Sequence, residues 1–404
     1  MKRKIKRILS PLESFLRWES SSGVILLASA VVALLLANSP LGEGYEHFLH
    51  TEIGIAGLSM SLTHWINDGL MAVFFFVIGL EVKREFLYGE LRTVSAMILP
   101  VCAALGGMLV PALFYSLINA GTPTAGGWGI PMATDIAFAL GIMTLAARNA
   151  PVGLVVFLTA LAIVDDLGAI VVIALFYSTD VSLVTLGAGL AALLGAFLLN
   201  RFGVHRFLPY LAFGLCAWFA FLSSGIHPTI AGVLLGFTIP ATAPSSLRNT
   251  LPASEPAEGE ARPSHHGSLL HYLETALEPW SAYVIMPIFA LANAGVNITG
   301  ANLDFTSPLF LGIAAGLILG KPIGIYGSVR LITKFSGAPL PGKATNGQAI
   351  ATGTLGGIGF TMSIFIATLA FPDAATLASA KLSILTSSVL AGILGAVLFQ
   401  FTKK

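Results

Sequence analysis

Charge is what this chain most lacks. Of 404 residues only 10% are Asp, Glu, Lys or Arg, whereas a soluble domain usually carries about 25%. With 55% hydrophobic residues and a mean hydropathy of +0.85, most of it must lie in hydrocarbon rather than water. Cysteine is nearly absent as well. Cys102 and Cys216 stand in apolar runs without metal-ligand spacing, so neither a disulfide framework nor a thiolate metal site is implied. A net charge of +1 gives no reason to expect a nucleic-acid partner. The basic start, MKRKIKR, precedes a long series of apolar runs. It therefore reads as a cytoplasmic anchor and not as a leader that is removed.

A bilayer-crossing helix needs about 20 apolar residues. Apolar runs predict spans near 14–38, 63–85, 95–118, 121–145, 151–176, 182–200, 205–221, 223–239, 273–296, 307–329, 346–371 and 378–401. The expected fold is thus an all-α polytopic membrane protein of twelve helices, a single transporter domain over 1–404. Continuous long runs argue for helices rather than a barrel. The distribution of cations tests this count independently. With the N-terminus inside, the outer loops fall near 39–62, 119–121, 177–181, 221–223, 297–306 and 372–377, and none contains Lys or Arg. Every inner loop does, through Lys83, Arg84 and Arg92; Arg148; Arg201 and Arg206; Arg248 and Arg262; and Arg330, Lys334 and Lys343. That is the positive-inside pattern, with both termini cytoplasmic. The stretch 241–271, rich in Pro, Ser, Glu and His, reads as a flexible cytoplasmic loop.

Against this background a few charges stand out. Asp135, the adjacent Asp165 and Asp166, and Lys321 each lie near the middle of an apolar span. One such residue costs roughly 2.5–3.5 kcal/mol on insertion scales. A structural ion pair with Lys321 can absorb one carboxylate and not three. The remaining negative charge calls for a mobile cation or a proton, and therefore for transport. Neighbouring helical residues diverge by about 100°. We accordingly expect Asp166 to face an ion path while Asp165 reaches Lys321, the two titrating as a pair. Carboxylate oxygens are hard ligands, suited to Na⁺. Competition between Na⁺ and H⁺ at one site is already an exchange mechanism.

Two spans carry helix breakers. The fourth has Gly126, Gly127, Gly129 and Pro131 before Thr134 and Asp135; the eleventh has Gly353, Gly356, Gly357 and Gly359. Small residues also serve close helix packing, so glycine alone decides nothing. Position is more telling. Each is the middle member of a triplet, spans 3–5 and 10–12, and the two run in opposite directions. This fits the inverted-repeat design known in secondary transporters, with two broken helices crossing at the midplane. Half-helix ends would gather dipole charge there, with Asp135 and Lys321 placed to compensate it.

The stretches WINDGLMAVFFFVIGLEVKRE, PMATDIAFALG, LAIVDDLGAI, LANAGV, GKPIGI and GGIGFTMSIFI together resemble the bacterial NhaA-type sodium/proton antiporters, along nearly the whole chain. That family is itself a type example of the inverted-repeat design. The resemblance implies Asp165 and Asp166 as the ion- and proton-binding pair. It places Asp135 and Thr134 at the crossing and makes Lys321 partner to the pair. It also implies electrogenic export of Na⁺, and of Li⁺, in exchange for H⁺ at the bacterial inner membrane, switched on at alkaline pH and without a cofactor. A pH-regulating cluster would comprise Glu81, Arg84 and Glu85 with Glu274, although a solvated helix-end cluster is the plainer reading of those residues. After Glu274 the family's enteric members have histidines where this chain has Thr275 and Glu278. His227, in SGIHPTIAG, is a further candidate for the pH response, beside the structural role usual for a lone helical histidine. The outer loop 46–62 alternates polar and apolar residues around Ala56–Gly57, as a hairpin would. In the family such a hairpin joins two protomers, so a homodimer is expected.

Other classes fit less well. An intramembrane aspartyl protease also pairs buried aspartates, but no GxGD-type motif is present, and a dyad needs neither a third aspartate nor a buried Lys. An organic-anion symporter would need a buried cation beyond Lys321. A passive channel would need more polar residues along a pore.

Overall fold

The computed structural model describes residues 21–404 except 56–57, 90, 147–149, 179, 243–266, 299–303, 337–338 and 403–404. The basic N-terminus, Arg148, Arg248, Arg262, Lys403, Lys404, the hairpin turn Ala56–Gly57 and most of the 241–271 loop lie outside the described residues.

Helix dominates. In chain order the elements are α1 (Ser21–Ala37), α2 (Gly42–Leu49), the strands β1 (Glu52–Ile55) and β2 (Leu58–Ser61), α3 (Leu62–Tyr88) and α4 (Val94–Ile118). A 3-10 segment, Ala125–Met132, precedes α5 (Ile136–Ala146), α6 (Val152–Phe176), α7 (Leu183–Arg201), α8 (Phe207–Leu222) and α9 (Thr229–Thr238). Then come α10 (Leu269–Asn293), α11 (Pro308–Ser336), α12 (Asn346–Leu355), α13 (Phe360–Ala370) and α14 (Ala374–Phe401). Among the described residues seven helices are long and apolar enough to cross a membrane, or up to ten spans if each of three bent pairs counts as one; α8 and α9 are shorter apolar helices. The chain is a multi-pass membrane protein.

The boundaries differ from expectation where local chemistry intervenes. Residues 46–49 close helix α2, so the outer 46–62 segment is only partly loop. At the other end, Ser268 accepts the backbone N–H of His271 and caps α10, so helix resumes inside the 241–271 stretch. The strands pair antiparallel in the register Glu52↔Ser61, Ile53↔Met60, Gly54↔Ser59 and Ile55↔Leu58.

Two compact units emerge, residues 1–63, 98–169 and 286–404 in the first and 64–97 and 170–285 in the second. In the second, α3 and α9 pack backbone to backbone. A Cβ on Gly232 would stand 2.2 Å from the Ala72 carbonyl oxygen, and one on Gly79 2.6 Å from that of Val233. Only glycine permits that approach. In the first unit, α11 runs close to α4 and to the α12 terminus. Gly357 there faces the Leu317 carbonyl oxygen, 2.1 Å from where a Cβ would sit. Leu317 belongs to a π turn, Ala315–Gly320, that ends where the Lys321 N–H reaches back five residues to the Gly316 carbonyl. Such an inserted residue rotates everything after it, and the first side chain it re-aims is that of Lys321.

Candidate ion-exchange site at the helix crossing

Both interrupted spans lie in the first unit. The 3-10 segment and α5 are bent by 43° about residues 133–135, and α12 and α13 by 46° about 356–359. Extended backbone in a membrane interior leaves N–H and C=O groups that must find partners nearby. Here the two breaks supply one another. The Asp135 N–H donates to the Ile358 carbonyl at 2.6 Å, Thr134 Oγ1 to the Gly356 carbonyl at 2.8 Å, and Ser363 Oγ to the Ile130 carbonyl at 2.7 Å.

Asp135 sits where two helices begin. Its carboxylate accepts the Phe138 N–H of α5 at 3.2 Å and the Thr361 N–H of α13 at 3.3 Å, and the Thr361 hydroxyl donates to the same group. A helix N-terminus carries roughly half a positive charge, so two of them offset about one carboxylate. The charge of Asp135 is thereby matched by fixed backbone.

Asp165 and Asp166 stand near the middle of α6, and Lys321 near the middle of α11. Lys321 is 0% exposed; its Nζ donates to Asp165 Oδ2 at 2.8 Å and to Thr134 Oγ1 at 2.9 Å. Because Thr134 passes its own proton to Gly356, the ammonium is tied to the C-terminal end of α12 through one hydroxyl. Asp165 Oδ1, although buried, accepts no hydrogen bond. Asp166, one residue on, is 2% exposed. The site therefore gathers Asp135, Thr134, Asp165, Asp166 and Lys321 within one unit. Of the two adjacent carboxylates of α6, Asp165 pairs directly with that ammonium.

Thr361, Ser363 and the Gly356 carbonyl were not singled out from the sequence. Thr361 had a usable signal, being the first polar side chain after the GGIGF break in a mostly apolar half-helix.

In the second unit, Arg84 Nε donates to Glu274 Oε1 at 2.5 Å and its terminal nitrogen stands 2.6 Å from Glu85 Oε1. Glu81 lies one turn earlier on α3, and Glu278 one turn after Glu274 on α10. Lys83, next to Arg84, donates to the Phe237 and Ile239 carbonyls at the end of α9. His227 is placed apart from that cluster in the contacts it makes. Its Nε2 is 3.3 Å from Asp68 Oδ1 and its Nδ1 2.7 Å from Thr229 Oγ1. Asp68, which sequence reading passed over, lies in a second π turn, Trp65–Leu70, and its carbonyl accepts the Trp218 indole N–H at 2.8 Å.

Interrupted helices tied at a break beside buried carboxylates and a buried lysine define a secondary-transporter-like membrane protein. Residues 13–399 match the model of the family described as Na⁺/H⁺ antiporter 1. The chain is 50% identical over 408 residues to Na(+)/H(+) antiporter NhaA 2 of Clostridium beijerinckii, covering 99% of this chain and 97% of the relative. It is 48% identical over 393 residues to Na(+)/H(+) antiporter NhaA of Rhizobium etli, covering 97% and 96%. A solved structure, the sodium proton antiporter MjNhaP1 of Methanocaldococcus jannaschii, shares the fold with a TM-score of 0.54 at 14% identity, over 98% of this chain and 99% of that one. The chain belongs to the Na⁺/H⁺ antiporter 1 family, among relatives named NhaA.

Proposed function

We propose that the whole chain is one twelve-span transporter of the bacterial inner membrane that exports Na⁺, and Li⁺, in exchange for H⁺. It is not an enzyme, it needs no cofactor, and its substrates are the ions themselves. The observation that carries this reading is the charge balance at the crossing. Three buried carboxylates meet one ammonium and two helix N-termini. Asp135 is matched by the N-termini and Asp165 by Lys321, and over the three carboxylates together about one negative charge remains for a mobile partner. Na⁺ or H⁺ fills that role, and the two exclude each other. A cation arriving from the cytoplasm displaces protons from the Asp165–Asp166 pair, and protons arriving from outside displace the cation. Thr134 and Lys321 hold Asp165 in place while this happens. More than one proton per Na⁺ makes the cycle electrogenic.

Spans 3–5 and 10–12 form the inverted repeat in this reading, with spans 4 and 11 as its broken members. The Glu81, Arg84, Glu85 and Glu274 cluster, together with His227, sets the pH at which exchange begins. The strand pair β1–β2 of the outer 46–62 segment pairs edge to edge with a second copy, giving a homodimer.

Inside-out vesicles from a host lacking its own sodium exporters test the proposal. An acid gradient is built and a pH dye follows its collapse on adding NaCl or KCl. Collapse with Na⁺ but not K⁺, absent in Asp166→Asn, is the expected result. No Na⁺ response anywhere between about pH 6.5 and 9, the range to which buried carboxylates and histidines are commonly tuned, would overturn it.

A further inference from the structure

A second polar feature of the first unit lies away from the crossing. A cavity of about 440 Å³ opens on the side that the cation distribution assigns to the outside, between the loop before the 3-10 segment and the starts of α11 and α14. Six hydroxyl-bearing residues line it, Thr122, Thr124, Ser307, Thr376, Ser379 and Ser383, together with Asp304 and the apolar Pro123, Pro308 and Leu309.

What those hydroxyls do with their protons decides what the cavity can hold. Thr122 donates to the Asn119 carbonyl, Thr124 to Asn119 Oδ1 and Ser307 to the Asp304 carbonyl. Thr376 donates to Asp373, Ser379 to the Ala375 carbonyl and Ser383 to the Ser379 carbonyl. A hydroxyl has one proton and two lone pairs. Thr122 and Thr124 also lie 2.9 Å from each other, and every one of the six hydroxyls has an acceptor within the protein, so the polar part of the lining presents oxygen lone pairs. At each helix start a capping side chain takes one N–H that could have attracted an anion, Phe310 N by Ser307 Oγ and Thr376 N by Asp373. Asp304 is held below the ordinary carboxylate range by hydrogen bonds from Thr306 and stays anionic. No Lys or Arg lies in the flanking segments 119–124, 297–309 or 372–380.

The acceptor surface continues inward. Ser379, Ser383 and Ser387 recur every fourth residue on one face of α14, so the row descends about 12 Å at 1.5 Å per residue. Ser387 is 0% exposed and its hydroxyl has no hydrogen-bond partner, which is unusual for a buried polar atom and suits a site that is wetted. Next to it, Ser388 Oγ accepts the Phe360 N–H at 3.1 Å, one residue before the Thr361 that binds Asp135. Lys381 lies two residues from both Ser379 and Ser383, about 200° around the helix, and so off this face.

We propose that the cavity is an outer vestibule for a partly hydrated monovalent cation, and that the Ser379–Ser383–Ser387 row leads from it toward the helix crossing. This rests on the exchange reading above and adds to it a specific outer route.

Cysteine accessibility tests the route without requiring transport. In a background carrying Cys102→Ser and Cys216→Ser, the variants Ser379→Cys, Ser383→Cys and Ser387→Cys are reconstituted in liposomes. They are exposed from outside to a cationic trimethylammonium-ethyl or an anionic sulfonato-ethyl methanethiosulfonate. All three should be modified. The cationic reagent should be at least about tenfold faster after correction for reaction with a free thiol, as an electrostatically focused site requires. Na⁺ should slow modification at position 387. Modification at 379 with none at 387 would make the cavity blind and overturn the route; equal rates for the two reagents would overturn its selectivity for cations. If the deeper variants fail to fold, Asp304→Asn serves instead. It should raise the external Na⁺ concentration for half-maximal exchange severalfold without lowering the maximal rate, and an unchanged value would overturn the vestibule. Modification in a protein that shows no Na⁺-driven proton flux would refute the exchanger and leave the vestibule standing, so the two failures are distinguishable.

Discussion

The crossing of the first unit and the Arg84 cluster of the second are both knots of acids around one base, yet they are built oppositely. At the crossing, Lys321 is wholly enclosed, and Lys321, Asp165 and Asp135 are met by an opposite charge, a hydroxyl or helix termini. Around Arg84, the base is 29% exposed at its side chain, while Glu85 and Glu274 are each 8% exposed and acids are in excess, so of these three only the base reaches the surface. A charge enclosed in protein cannot be removed without leaving its partner unsolvated. A charge at a wetted helix end can be replaced by counter-ions. The first arrangement suits a site whose occupancy is obligatory in every cycle, and the second a site that biases a rate.

If that contrast is right, the largest effects belong to the crossing. Asp166→Asn should reduce Na⁺-driven proton flux to the level of protein-free liposomes while leaving the detergent-solubilised protein folded. Retained flux would move the exchange elsewhere. Lys321→Ala should lower stability by about 3–5 kcal/mol, as breaking a buried pair does, read as a fall in the thermal midpoint. The double variant Asp165→Asn/Lys321→Gln should recover much of that loss, because both members of the pair are then neutral. Since Lys321 is committed to Asp165 and Thr134, Lys321→Gln should keep its charge movement per turnover. Exchange that persists without charge movement would instead make Lys321 a proton carrier. Next in size is Thr361→Val, which removes a donor from Asp135 and should destabilise by about 1–3 kcal/mol. Thr361→Ser should restore both stability and flux.

The same contrast accounts for how much of the site is legible in the amino-acid sequence. Asp135, Asp165, Asp166 and Lys321 are conspicuous because an apolar span is an unforgiving background, in which a single charge needs a reason. Glycines and proline likewise mark the two breaks. The bonds that the breaks exchange are not legible. Which carbonyl Thr134 reaches, and that Thr361 closes on Asp135, depends on the relative placement of segments more than 220 residues apart. The π turns at Trp65–Leu70 and Ala315–Gly320 leave no sequence signal either. One extra residue in a helical turn keeps apolar composition unchanged while rotating the helix face beyond it. That is how Asp68, in an ordinary-looking helix start, escaped notice as the partner of His227. The Arg84 cluster is readable as composition but not as pairing, since Glu81, Glu85, Glu274 and Glu278 all look alike in sequence, while the fold brings Glu85 and Glu274 within 2.6 Å of Arg84.

The smallest effects should lie in that cluster. Arg84→Gln withdraws the counter-charge of Glu85 and Glu274, and because both acids are buried while Arg84 is partly exposed this should destabilise by about 1–3 kcal/mol, less than loss of the enclosed Lys321. Its consequence should be a displacement of the pH profile of exchange toward alkaline pH, because the ionised carboxylates lose their partner, with the maximal rate kept. Glu278→Gln should move the profile less and in the opposite direction, since it removes a like charge one turn from Glu274. Both displacements should shrink when the profiles are repeated at high ionic strength with impermeant salt, as screened surface electrostatics demand. Screening leaves the Asp166→Asn defect untouched, because that carboxylate is enclosed. An Arg84→Gln variant that lost its maximal rate, or whose shift persisted at high salt, would show that the cluster is wired as tightly as the crossing. The division of labour between the two knots would then fall.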